Sequence, residues 1–176
     1  MSLCRQAKSN CLLSLTSTYA VAIMALTFKS LPKDHFPMRK TQTGPVILDV
    51  NSHELTSLER EVLEHPQVGG VILFARNFDN PQQVADLTRQ MRSVNPHLLL
   101  CVDQEGGRVQ RFKKGFTLLP AMGKLGQLAT SDAELAEQIA RELGWLMASE
   151  VLAVGVDLSF APVLDVDAQF SKVIGD

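Results

Sequence analysis

Two carboxylates, two glycines and two arginines fall within the nine-residue stretch Asp103-Gln-Glu-Gly-Gly-Arg-Val-Gln-Arg111. Several chemistries are open to such a cluster. Asp103 and Glu105 offer oxygen ligands to a hard cation, as do Asp165 and Asp167 further on. With no histidine nearby, and arginines beside the first pair, ion-paired or solvated carboxylates are the better reading, so no metal is expected. Gly106-Gly107 frees the backbone for a tight turn. It lacks the G-x-G-x-x-G or P-loop spacing that cradles phosphate, and Asp103 and Glu105 would repel an anion. A carboxylate–guanidinium pair remains. Arg108 and Arg111 are three apart, so one helical turn would bring both forks to Asp103. Such a pair either pins its loop as a structural ion pair or grips a polar ligand.

The elements around the stretch decide where that pair points. Residues 98–102 form an apolar run that suits a strand buried on both faces, as in a parallel sheet. Alternation puts Cys101, Asp103 and Glu105 on one side, and Val102 and Gln104 on the other. Asp103 is thus the last strand residue able to point toward the centre of a sheet or barrel. In α/β folds the C-terminal ends of the strands are where ligands sit.

Residues 45–50 read as the first strand. Thr56 and Glu59 then form a capping box for a helix whose inner face is Leu58, Val62 and Leu63, and His65-Pro66 stops it. Residues 68–74 are a second strand, followed directly by Arg76-Asn77. Asn80 as N-cap, Pro81 in the first turn and Gln83 in the box position open a second helix, with Val84, Leu87, Met91 and Val94 as its buried stripe. After the central strand, residues 112–130 read as a long glycine-containing connection on the site's side. Ser131 and Glu134 open a third helix with the stripe Leu135, Ile139, Leu143 and Leu146, which Gly155 closes. The lone Trp145 reads as core or helix–sheet packing. Residues 156–160 are a fourth strand, and 161–176 another loop. The order β-α-β-α-β-α-β places the chain in the α/β class with a parallel sheet, while periodicity alone leaves barrel and doubly wound sheet both open.

Composition sets the outer limits. With 176 residues, 45% hydrophobic, 20% charged and a net charge of −2, the chain is long enough for one domain with a sizeable core. Its lysines and arginines are scattered, which argues against a nucleic-acid partner. Cys4, Cys11 and Cys101 show no disulfide framework or paired zinc spacing, so a reducing, cytoplasmic setting is expected. Residues 1–43 read apart from the rest. Ser9 to Phe28 carries no charge and is flanked by Arg5, Lys8 and Lys29, like a secretory leader or marginal membrane span that would export or anchor the protein. Ser14, Thr16, Ser17 and Thr18 dilute that run, and Ala20–Ala22, the one A-x-A site, precedes its most apolar part. None of His35, His53, His65 and His97 falls at a strand's C-terminal end, so each reads as a surface or capping residue.

VDQEGGRVQRF joins GPVILDV at Gly44, GGVILFARN at 69–77, GWLMASE at 144–150 and DLSFAPVLDV at 157–166 in an ordered set of blocks. Together they resemble the N-terminal part of bacterial β-N-acetylhexosaminidases of glycoside hydrolase family 3, over residues 44–176. The resemblance implies a parallel (β/α)8 TIM-type barrel, with only about the first four βα units present, since a whole barrel takes about 250 residues. It makes residues 1–43 an N-terminal extension, either a leader or a mis-assigned start with Met38 as the true one. The implied activity is hydrolysis of terminal β-linked N-acetylglucosamine from peptidoglycan-derived muropeptides, by a retaining mechanism through a covalent glycosyl intermediate.

By the same resemblance Asp103 and Arg111 bind substrate. The family's acid/base His, its supporting Asp and the Asp nucleophile fall beyond Asp176, so this chain supplies binding and no catalytic residue. The residue types suit that role: a carboxylate accepts from two hydroxyls and an arginine fork donates to their oxygens, at about 1.5–3 kcal/mol per charged hydrogen bond. The expected partner is a carbohydrate, with no cofactor, nucleic acid or membrane, and no oligomeric state is implied. Two other readings stay open: a non-catalytic carbohydrate-binding half-barrel that pairs with another chain, and a different barrel enzyme acting on phosphorylated sugars.

Overall fold

The computed structural model describes residues 44–164. The leader-like stretch, Cys4, Cys11, His35, Asp165 and Asp167 lie outside the described residues. The elements run β1 (Val46–Leu48), α1 (Ser57–Leu63), β2 (Val68–Leu73), α2 (Pro81–Val94), β3 (Leu99–Val102), β4 (Gln104–Gly106), β5 (Val109–Gln110), α3 (Met122–Ala129), α4 (Ala133–Ala153) and β6 (Leu158–Ser159). Strands β1, β2, β3 and β6 form one parallel sheet in that spatial order. Each strand joins on the same side of its predecessor, without the reversal of order that defines a doubly wound sheet. Parallel pairing also brings all the C-terminal strand ends to one edge: Val102 lies opposite Leu73 on one side and Ser159 on the other.

The core sits between this sheet and α2. Val71, Leu73, Leu100 and Val102 are fully buried in one cluster with Val84, Leu87 and Met91, the stripe the α2 spacing predicts, and Val94 packs at its margin. Local signals start the helices. At α1, the Glu59 N–H donates to Thr56 Oγ1 at 3.2 Å and Thr56 N–H donates back to Glu59 at 2.8 Å. Burial pushes the Glu59 carboxyl up, but hydrogen bonds from Asn51 and Thr56 outweigh it and hold the group below its ordinary value. At α2, the Asn80 side chain accepts from Gln83 N–H at 3.0 Å, and Pro81 fills the first turn.

Other expectations are corrected. The inner face of α1 reduces to Leu63, since Leu58 is 70% exposed and Val62 is also exposed. A seven-residue helix has room for little more than one core contact, and the buried Leu55 ahead of it supplies the next. The connection 112–130 is not all loop, because α3 lies within it. The N-cap of α4 is Asp132 rather than Ser131, accepting from Leu135 N–H at 3.0 Å.

The predicted α4 stripe is not core. Leu135 is 41% exposed, Ile139, Leu143 and Leu146 are half-buried, and Trp145 is 70% exposed. These residues line a shallow groove, while Met147 and Val151 make the inward contacts. The period marked an apolar face correctly, but burial of that face depends on a neighbour, and among the described residues none seals it. At the helix end Gly155 takes φ 85°, where a Cβ would sit 2.7 Å from Thr88 Oγ1. Thr88 donates to the Val154 carbonyl at 2.7 Å, tying α2 to the end of α4. No helix among the described residues is long and apolar enough to cross a membrane.

Candidate functional site

Asp103 lies between β3 and β4, where the chain leaves the sheet. Beyond it the chain forms an antiparallel hairpin of β4 and β5, not the helical turn that would bring two arginines together. In an extended chain, residues three apart fall on opposite sides, so Arg108 and Arg111 separate. Arg111 pairs with Asp103: its N–H meets the Asp103 carbonyl at 3.2 Å, and its guanidinium donates to Asp103 Oδ2 at 2.7 Å. Arg108 sits exposed at the turn. The turn needs its glycines, because Gly106 and Gly107 take φ 97° and 57°. A Cβ on Gly107 would also come within 2.7 Å of Ala121 Cβ.

Two buried glutamines hold the hairpin in place. Gln104 donates to the Phe112 carbonyl at 2.9 Å and accepts from Phe112 N–H at 3.0 Å. Gln110 donates to the Phe112 and Thr117 carbonyls and accepts from Leu119 N–H at 3.0 Å. The sequence reading assigned neither of them a role in the site. The available signal was alternation, which set Gln104 on the side opposite Asp103, where a polar residue must find partners once buried.

The exits of β1 and β2 complete the surroundings. Arg76 pairs with Asp49 and donates to the Val50 carbonyl at 3.2 Å. Buried Asn77 donates to the Val50 and Ser52 carbonyls at 2.9 and 3.0 Å, and accepts from Phe74 N–H. The Phe74 ring lies 4.8 Å from the Arg76 guanidinium carbon and 5.7 Å from that of Arg111. Cation–aromatic contacts of this kind are worth about 0.5–1 kcal/mol at exposed sites.

Arg111 Nε is buried with no hydrogen-bond partner among the described residues. An unsatisfied donor costs about 1–3 kcal/mol, and violations of this sort concentrate at functional positions. Burial, and then the Asp103 charge, push the Glu105 carboxyl up, against a downward pull from Arg111 and Arg108. Cys101 lies under the site, and burial, followed by the charges of Asp103 and Asp157, pushes its thiol up to about 11. It is therefore protonated and a poor nucleophile near neutral pH. His53, His65 and His97 are exposed, and none pairs with Asp103 or Arg111. Among the described residues no three His, Cys, Asp or Glu side chains gather as a metal site would need.

An unreversed parallel sheet with a carboxylate–guanidinium pair at its C-terminal edge defines an α/β domain whose polar site lies where such folds place their ligands. Residues 42–176 match the glycosyl hydrolase family 3 N terminal domain, and the chain belongs to that family. It is similar to the beta-hexosaminidase of Pseudomonas aeruginosa, 54% identical over 132 residues, covering 75% of this chain and 38% of that protein. The beta-hexosaminidase of Nitrosomonas eutropha is 51% identical over 134 residues, with 76% and 38% covered. The solved structure of NagZ from Neisseria gonorrhoeae in complex with N-trifluoroacetyl-D-glucosamine superposes with a TM-score of 0.69 at 46% identity, covering 72% of this chain and 39% of that one. The chain thus spans about 38% of the length of the curated relatives it matches.

Proposed function

We propose that this domain supplies the sugar-gripping part of a β-N-acetylhexosaminidase built on a TIM-type barrel. The observation that carries the reading is the Asp103–Arg111 pair at the C-terminal edge of the parallel sheet. Asp103 Oδ2 is held by Arg111, while Oδ1 carries no hydrogen bond among the described residues and can accept from a sugar hydroxyl. The Arg111 fork, steadied by Asp103 and the Phe74 ring, donates to the neighbouring sugar oxygens. Relatives named beta-hexosaminidase, and a neighbouring structure solved with an N-acylglucosamine, support the sugar class.

The finer reading is removal of terminal β-linked N-acetylglucosamine from peptidoglycan-derived muropeptides in the cytoplasm, through a covalent glycosyl intermediate. Asp103 and Arg111 would bind, and the acid/base and nucleophile would come from outside this stretch. The test uses the protein as its full gene encodes it, with an aryl N-acetyl-β-D-glucosaminide as substrate and NMR to follow the anomer first released. Cleavage with the β-anomer appearing first is expected. Inhibition by inorganic phosphate, with no response to N-acetylglucosamine, would overturn the reading in favour of a phosphosugar enzyme.

A further inference from the structure

Arg111 keeps its place with few contacts of its own. Its guanidinium donates to Asp103 Oδ2 and lies beside the Phe74 ring, while its buried Nε has no hydrogen-bond partner among the described residues. A side chain anchored so sparsely takes its position largely from its backbone, and the backbone at 110–112 is set by residues further along the chain. Residues 117–119 run beside the β4–β5 hairpin as a brace. The Thr117 carbonyl accepts from the Gln110 amide at 2.9 Å, Leu119 N–H donates to the same side chain at 3.0 Å, and the Leu119 carbonyl accepts from Gly107 N–H at 2.9 Å.

One end of the brace is buried, since the Phe116 ring packs on Phe112 and Phe78 with centroids 5.4 and 5.6 Å away. Thr117 and Leu118 are exposed, so water competes for the bonds there and a short surface loop frays unless something fastens it from outside. Glu150, near the end of α4, is that fastening. Its carboxylate takes both donors of Thr117: the N–H lies 3.1 Å from each oxygen, and the hydroxyl donates to Oε1 at 2.8 Å. Both bonds are charge-assisted, and they tie the hairpin's brace to a helix more than thirty residues further along the chain.

We propose that Glu150 is a positioning residue for the sugar-gripping pair: by latching Thr117 to α4 it keeps residues 117–119 against the hairpin, and so holds the Arg111 backbone where its fork meets Asp103. It acts through Thr117 and Gln110 and not on the ligand itself. Because the latch lies at the surface, water replaces its bonds at little cost to global stability, whereas the order of the brace is lost and must be restored each time a ligand binds. The effect therefore falls on binding more than on unfolding. The inference rests on the proposed hexosaminidase reading.

The test uses the protein encoded by the full gene with an aryl N-acetyl-β-D-glucosaminide as substrate. Glu150→Ala is expected to raise KM about three- to tenfold, with kcat changed less than about twofold and Tm lowered by no more than about 2 °C. Glu150→Gln keeps an acceptor in the same place and should fall between alanine and wild type. Thr117→Val removes the hydroxyl and keeps the N–H, so its KM should rise less than that of Glu150→Ala, and the double variant should be no worse than Glu150→Ala alone, as for two halves of one contact. Amide hydrogen exchange reads the latch without turnover: in Glu150→Ala, exchange should quicken at Thr117 and also at the Gly107 and Arg111 amides of the hairpin. Faster exchange confined to Thr117, an unchanged KM, or a glutamine variant as impaired as alanine overturns the positioning role. A fall in Tm of many degrees with kcat and KM altered alike overturns it in favour of a general structural role. Failure of the wild type to cleave the substrate overturns the hexosaminidase reading, and the exchange pattern then still decides the latch.

Discussion

Asp103→Asn separates the two roles open to the central ion pair. Asparagine keeps the shape of the side chain and removes its charge, leaving the Arg111 guanidinium opposite an amide. The Asp103 and Arg111 side chains are 19% and 31% exposed, so the pair is intermediate between a surface and a buried one. Breaking a buried pair costs about 3–5 kcal/mol and an exposed one about 0–1, which places this substitution near 1–2 kcal/mol of stability. At about 2–4 °C per kcal/mol for 150–250 residues, and less for a longer protein, that corresponds to a fall in Tm of several degrees at most. Sugar binding predicts a further and separate effect. Losing charge-assisted hydrogen bonds worth about 1.5–3 kcal/mol lowers kcat/KM about 10- to 150-fold. The assay pairs thermal unfolding of the full-length protein with hydrolysis of an aryl N-acetyl-β-D-glucosaminide at a temperature where both forms are folded. A variant with reduced Tm but unchanged kcat/KM would leave Asp103 a purely structural partner of Arg111 and refute its role as a sugar ligand.

Three further perturbations probe the supports of that pair. Phe74→Leu removes the ring beside Arg111 and Arg76; a loss of about 0.5–1 kcal/mol should appear as a two- to fivefold rise in KM, and an unchanged KM would show that the ring does not orient Arg111. Gln104→Leu strands the Phe112 N–H, while the Phe112 carbonyl keeps its bond from Gln110; at about 1–3 kcal/mol for the orphaned group, the urea midpoint should fall clearly, and a midpoint within error of wild type would contradict the hairpin's dependence on this amide. Glu105 has a raised pKa when folded, so its contribution to stability is present below its unfolded pKa of about 4.3 and is lost as pH rises through the folded value. Glu105→Gln removes that dependence: relative to wild type it should gain stability from pH 4 to pH 7 in urea titrations, and a constant difference would show that the carboxyl is not perturbed.

The local part of this fold was readable because its signals act over three or four residues. The Thr56–Glu59 box, the Asn80-Pro81 start and the Gly155 stop each rest on a bond or backbone angle within one turn. The buried stripe of α2 reflects a period of 3.6 against an apolar sheet. Asp103 and Arg111 were legible as a possible pair from charge and their place after an apolar run. Trp145 and the α4 stripe were misread because a helical period identifies an apolar face without saying which neighbour covers it.

The sequence by itself determined an alternating α/β chain and put a carboxylate at the exit of its third strand, since hydrophobic period and capping chemistry are properties of neighbouring residues. Tertiary structure decided which arginine meets that carboxylate. Gly106-Gly107 permits either a helical turn or a hairpin, and bonds that Gln104, Gly107 and Gln110 make with residues further along the chain select the hairpin. Phe74, Arg76 and Asp49 joined the site in the same way. Parallel pairing brings the ends of separate strands to one edge, and no spacing along a single strand records which side chains meet there.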